Sequence, residues 1–263
     1  MINSSGIRIN DPKEILNEER NSFKQLYCSR NMDPNRDVCK DFFHVDFKLS
    51  DETASTCEGE MTLAECTKAL TMQSNKTPGS DGLTEFYRFF RNAIGVYVVN
   101  SFNCAFKTGS LSISQRQGII SLISKKKKDT LYPKNWRPVS LLNVDYKIAT
   151  KTIALWLEKV LPLLIHPGQA GYRKERFIGE SIRLILDVME YTTKQKDIPG
   201  VAIFLDFEKA FDSVEWNYIQ KCLETVNFGP RLRQWIQVFY HNISSCVLSN
   251  GHASEPFFLE RGV

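Results

Sequence analysis

Hydrophobic and polar positions along this chain switch between two periods, and the switches mark its elements. Strict alternation of Val201, Ile203 and Leu205, interleaved with Ala202 and Phe204, predicts a buried β-strand over 201–205. Ile119–Ile123 predicts a short strand. Cys246–Ser249 and Glu255–Glu260 predict two more, joined across Asn250-Gly251, a strong hairpin signal. Helical spacing governs most of the rest. Pro12–Tyr27 carries Ile15, Leu16, Phe23 and Leu26 on one face, and the polar stretch 29–40 reads as loop. Thr62-Leu63-Ala64-Glu65 is a capping box that opens a short helix, and an aromatic-rich helix is expected from Leu83 to about Phe106. The clearest helix runs from Val144 to about Ile165, with Tyr146, Ala149, Ile153, Leu157, Val160, Leu161 and Leu164 in one stripe and Pro162 kinking its last turn. A helix over 178–193 should turn Ile182, Ile185, Leu186 and Met189 inward. Helices at 213–226 and to about Tyr240 flank Gly229-Pro230, the later one burying Leu232, Trp235, Ile236 and Phe239.

Composition adds bounds. The chain's 263 residues allow one large domain or two small ones, and 42% hydrophobic with 24% charged residues is ordinary for a globular protein. No apolar run reaches membrane-spanning length, and the polar start lacks the apolar core of a signal peptide. Seven scattered cysteines without a CxxC pair read as reduced thiols of an intracellular protein, in cytoplasm or nucleus, rather than a disulfide frame or zinc site. A net charge of +4 permits nucleic-acid binding without arguing for it.

Three places carry candidate chemistry. Asp206 ends the predicted strand where an apolar side chain is expected, and a carboxylate there is costly unless paired or metal-bound; the plainer reading is a solvated strand end. After Phe211, Asp212-Ser213-Val214-Glu215 reads as a helix start, with Asp212 accepting first-turn amides and Glu215 reaching back. Lys125–Lys128 is the strongest positive cluster, either a solvated hairpin tip or a set of phosphate contacts.

The string FLDFEKAFDSVEW resembles the first catalytic motif of reverse transcriptases, most closely the LINE-type (non-LTR) retrotransposon enzymes. Asn75–Gly82, NKTPGSDG, is similar to that family's NKxPGxDG element, and Asn135–Leu142, NWRPVSLL, to its WRPISLLN fingers motif. Gln169–Arg176 matches its DQxGFxxGR segment imperfectly: Gly168, Tyr172 and Glu175 depart from it, while Gln169, Gly171 and Arg176 stay in register. The resemblance covers about Thr62 to Val263. It implies that Asp206, with the carbonyl of Phe207, binds catalytic Mg²⁺. It also implies that Phe211 lies under the incoming sugar, that Arg137 contacts the triphosphate, and that one of Lys126, Lys127 and Lys128 reaches the terminal phosphate. Lys76, Gln169, Arg173, Lys174 and Arg176 would contact nucleic acid, and RNA template, DNA primer and dNTP would be the partners.

The implied fold is α+β: right-hand polymerase fingers plus an incomplete palm, its antiparallel sheet bearing Asp206 and covered on one face by the helices at 178–193 and 213–226. The expected divisions are a lead-in at 1–60, a fingers-like region at 61–180 and a partial palm at 181–263. An exposed sheet edge and poor solubility follow from an incomplete palm. The family's Gln-Gly segment and Tyr-x-Asp-Asp turn do not occur in the sequence, so the expectation is no DNA synthesis from this chain alone. The alternative is a non-catalytic nucleic-acid-binding remnant that keeps the lysine run, Arg173, Lys174 and Arg176. A telomerase or intron-maturase relative would show fingers insertions that are not seen. A Ser/Cys hydrolase has no support from four histidines in unrelated segments.

Overall fold

Asp11 starts the first helix, α1 (Pro12–Tyr27), by accepting from the amides of Lys13 and Glu14, while Pro12 sits where no amide partner is needed. The computed structural model describes residues 1–30, 45, 47–70, 77–171, 176–194 and 201–262. As its spacing predicts, α1 buries Phe23 and Leu26, and with them Tyr27, against Ile120, Val247 and Phe257. Within the segment expected as a lead-in, α1 therefore packs against the sheet.

Those partners come from one sheet. β1 (Gln117–Ser124) pairs antiparallel with β2 (Trp136–Leu141) and parallel with β3 (Ser244–Ser249). β4 (His252–Ala253) and β5 (Phe257–Phe258) both pair antiparallel with β3. The result is an open, mixed α/β arrangement with strand order β2-β1-β3-β4, which corrects the expectation of an antiparallel sheet. The long helical excursion between β1 and β3 permits this parallel pairing, since only antiparallel neighbours can be joined by a tight turn. The Asn-Gly hairpin is as read: Asn250 and Gly251 have φ of 49° and 80°, the left-handed pair that links twisted strands in register.

The other helices are α2 (Asp51–Ser55), α3 (Leu63–Ala69), α4 (Phe86–Phe89), α5 (Arg91–Thr108), α6 (Val144–Leu164), α7 (Ile178–Lys194), α8 (Trp216–Thr225) and α9 (Pro230–Tyr240). The single helix expected over 83–106 is broken at Phe90, which leaves helical geometry between α4 and α5. Helices α3, α5, α6 and α9 enclose the larger core, in which Phe102, Ile153, Val160, Leu232 and Trp235 are buried. On α6 the stripe holds at Ala149, Ile153 and Val160, and Ile148, Thr152 and Trp156 join it. On α9 Val238 is buried and Ile236 only partly so. Its N-terminus is closed from outside: the Glu58 carboxylate accepts from the amides of Arg231 and Leu232, both at 3.0 Å. Gly229 makes this approach possible, because a Cβ there would overlap the Glu58 carboxyl.

Both arms of the predicted capping box form at α3. Glu65 accepts from the Thr62 amide at 3.0 Å, the Thr62 hydroxyl at 2.7 Å and the Trp156 indole at 2.7 Å. Burial pushes this carboxyl upward, but the hydrogen bonds outweigh it and hold the pKa below the ordinary carboxylate value. A pKa depressed on folding contributes stability that is present above the unfolded value and lost as pH falls through the folded one. Glu65→Gln is accordingly expected to flatten the acid limb of the melting temperature between about pH 5 and 3. Thermal melts of both proteins across that range check it; parallel curves would refute the assignment.

Two predicted burials do not occur. Residues 201–207 form no strand and join no ladder, with Leu205 80% and Phe207 77% exposed. The apolar residues of α7, including Ile182, Ile185, Leu186 and Met189, are exposed too. Alternation and helical spacing state which face can be buried, while burial itself depends on a neighbour. Among the described residues nothing covers these faces. Hence the helices at 178–193 and 213–226 do not cap the sheet; α1 does.

Candidate nucleotide and nucleic-acid site

Antiparallel pairing of β1 with β2 sets Ile123 opposite Arg137 and Ser124 opposite Trp136, so the arginine stands beside the hairpin's tip. That tip is Lys125–Lys128, and internal bonds hold it in shape. The Lys125 amide donates to the Asn135 carbonyl at 2.8 Å, and its ammonium to the Lys134 carbonyl at 2.9 Å. The Lys128 amide closes back on Lys125 at 3.2 Å, and Lys127 takes the left-handed backbone, φ 59°. Asn135 and Trp136 donate side-chain N–H groups to the carbonyls of Asp129 and Thr130. Lys125 is thus engaged in its own turn, while Lys126, Lys127, Lys128 and Arg137 are exposed. One hairpin gathers the four cations.

The turn at 77–82 meets the end of the Trp136–Asn143 segment. Asn143, 1% exposed, accepts through Oδ1 from the Ser80 hydroxyl and the Asp81 amide, each at 3.3 Å, and donates to the Ser114 carbonyl at 2.8 Å. Gly79 lies so close that a Cβ would overlap Asn143. Two sequence motifs are joined by one buried amide. Lys76, Arg173 and Lys174 lie outside the described residues. Gln169 is exposed in the turn after α6, its amide donating to the His166 carbonyl, and Arg176 donates to the Pro167 carbonyl at 2.7 Å. These two therefore share one loop.

Asp206 sits in the exposed 201–207 segment, not at the end of a buried strand. Phe211–Ser213 follows as a 3₁₀ turn, closed by the Ser213 amide on the Lys209 carbonyl at 3.1 Å. The expected helix start is displaced: α8 begins at Trp216 with Glu215 at the N-cap position, and no side chain accepts from its first-turn amides. Other donors have claimed both carboxylates. The Tyr27 hydroxyl donates to Asp212 Oδ1 at 2.9 Å. Glu215 accepts from the Ser29 hydroxyl at 2.8 Å and the Arg30 amide at 3.2 Å, and Arg261 Nη1 lies 3.7 Å away. Burial, then the Asp212 charge, raises the Tyr27 pKa well above the ordinary tyrosine value, so the phenol stays a donor. Sequence reading missed Tyr27 and Arg261, since no local pattern links positions so far apart.

Among the described residues no group of three His, Cys, Asp or Glu side chains is placed to hold a metal ion. Asp206 is one exposed carboxylate, and no ion pair joins it to Arg137 or the lysines among those residues. These residues alone do not make a complete Mg²⁺ site, which takes several oxygen ligands.

A mixed open sheet that carries a pinned cationic hairpin defines an α/β protein. The comparisons give the family. Residues 123–263 match the reverse transcriptase (RNA-dependent DNA polymerase) family, and the chain belongs to it. It is 35% identical over 260 residues to an uncharacterised 149 kDa protein of transposon TX1 from Xenopus laevis, across 98% of this chain and 20% of that protein. It is 25% identical over 192 residues to a Pol polyprotein from the type-1 retrotransposable element R2 of Popillia japonica, covering 71% of this chain and 25% of the relative. A probable RNA-directed DNA polymerase from transposon X-element of Drosophila melanogaster is 27% identical over 155 residues, 57% of this chain and 17% of the relative. These relatives place the chain in the LINE-type, non-LTR branch. It spans about a fifth to a quarter of the length of the first two. Among the described residues no helix is long and apolar enough to cross a membrane.

Proposed function

We propose that this chain forms the nucleotide- and template-facing part of a non-LTR RNA-directed DNA polymerase, an enzyme that transfers nucleotides from dNTPs to a DNA primer on an RNA template. The observation that carries the reading is the hairpin that sets Arg137 beside exposed Lys126, Lys127 and Lys128. Arg137 grips the triphosphate because its planar fork matches phosphate oxygens, and a tip lysine takes the terminal phosphate as a point charge. Phe211 underlies the sugar. Lys76, Gln169, Arg173, Lys174 and Arg176 follow the template–primer backbone. Residues 61–180 act as fingers and 181–263 as part of a palm, with 1–60 leading in. Reverse transcriptases use divalent metal ions; Asp206 and the Phe207 carbonyl would hold Mg²⁺, together with further oxygen ligands.

The second reading, a nucleic-acid-binding remnant without catalysis, is favoured by the exposure of Asp206. Primer extension on an RNA template with Mg²⁺ and dNTPs separates the two. The expected result is no extension by this chain and clear extension by a version continued through Gln-Gly and Tyr-x-Asp-Asp motifs, abolished there by Asp206→Asn. Synthesis by the short chain would sink the mechanism, and inactivity of both would favour the remnant.

A further inference from the structure

The loop that carries Asp206 and Phe211 is held by residues at the two ends of the sequence. Tyr27, the last residue of α1, donates to Asp212 immediately after Phe211. Arg261, 4% exposed, donates through Nε to the Leu26 carbonyl at 2.9 Å and lies against Glu215. Gly262 threads between them: its amide donates to the Val214 carbonyl at 2.8 Å, and its carbonyl accepts from the Trp216 indole at 2.8 Å. Its φ of 95° is left-handed, and a Cβ would press within 3.0 Å of the Tyr27 ring and 3.2 Å of the Asp212 carbonyl. The Glu260 amide completes the junction on the Tyr27 carbonyl at 2.9 Å. Tyr27 lies outside residues 123–263, the part that matches the family.

We propose that Tyr27 is a positioning residue: through Asp212, and with the Arg261–Glu215 contact as its support, it sets the conformation of residues 208–214 and so the placement of Phe211. This rests on the reading of Phe211 as the residue beneath the incoming sugar. The argument is geometric. Residues 201–207 join no ladder, and the hydrogen bonds that reach this loop from the chain's two ends meet it beyond Phe211, at Asp212, Val214 and Glu215. The one next to Phe211 is the tyrosine hydroxyl donating to the Asp212 carboxylate, and charge-assisted bonds of this kind exceed neutral ones about twofold.

The test uses the whole chain and two variants. Tyr27→Phe keeps the buried ring and removes the donor; Asp212→Asn keeps an acceptor for the phenol. Hydrogen–deuterium exchange at the amides of Ser213, Val214 and Gly262 is expected to quicken about tenfold in Tyr27→Phe and only about threefold in Asp212→Asn, where the phenol keeps a neutral acceptor, with Leu232–Phe239 unchanged. Unaltered exchange in Tyr27→Phe overturns the proposal, whatever the nucleotide results. Binding of dGTP and GTP with Mg²⁺ is then compared. Wild type is expected to prefer the deoxynucleotide, and transmission of half the bond's effect would narrow that preference about threefold in Tyr27→Phe. An unchanged preference also overturns it. Failure of wild type to bind either nucleotide strikes the sugar-site reading instead, and the exchange result still decides whether Tyr27 holds the loop.

Discussion

Replacing Lys126, Lys127 and Lys128 together by alanine is expected to weaken binding of single-stranded RNA about 100-fold at 0.1 M salt. Each single-strand phosphate neutralised adds about 0.7 to the slope of log K against log salt, so three lysines account for about 2. Extrapolated from 1 M to 0.1 M salt, that slope is the 100-fold. The hairpin should survive, because its tip is held by Lys125, Asn135 and Trp136 through bonds that the three side chains do not make. Fluorescence anisotropy over a salt series checks both numbers. A uniform loss with unchanged slope would mean that the lysines act through folding, and no loss would make the cluster a solvated tip. Arg137→Ala should affect dNTP binding more than RNA binding, since one guanidinium adds little to a long polyanion.

Trp235→Ala is expected to destabilise the chain by about 3–5 kcal/mol, the usual range for removing a large buried aromatic. Trp235 is 0% exposed and lies 4.6 Å from Phe106 and 5.9 Å from Phe239 between ring centroids. Its indole also donates to the Gly59 carbonyl at 3.0 Å, tying the segment before α3 to α9. Alanine would leave a cavity and orphan that carbonyl, while Trp235→Phe would lose mainly the hydrogen bond, about 1 kcal/mol. For a chain of this size the alanine change corresponds to a fall in melting temperature of about 10 °C. Urea unfolding of the three proteins reads the difference directly, and a loss under about 1 kcal/mol for the alanine variant would contradict this core.

What could be read in advance was what neighbouring residues decide. Helix α1, α6 and α9, the Thr62–Glu65 box and the Asn250-Gly251 turn all form close to where the pattern put them, because capping chemistry and left-handed turns act within a few residues. The reverse transcriptase family was legible for the same reason: its signature strings are short and ordered along the chain. Readings that needed a distant partner fared differently. The 201–205 alternation is present, yet among the described residues no strand pairs with it and nothing covers the apolar stripe of α7. Asp212 and Glu215 spell a helix cap, but Tyr27, Ser29 and Arg261 take their oxygens. The parallel β1–β3 pairing could not be read at all, since its two strands carry no mark of one another.

That pairing has a consequence for how the protein comes off the ribosome. Gly118 and Cys246 are 128 residues apart, and the Arg261 bond to Leu26 spans 235. Contacts this remote form slowly, because loop-closure entropy is lost before the contacts that compensate for it are made. The helical core around α3, α5 and α6 can assemble early, while α1 must wait for β3 and for Arg261 to emerge. Throughout that interval the nascent polypeptide presents greasy, strand-prone surface, the kind of exposure that makes folding intermediates prone to aggregate.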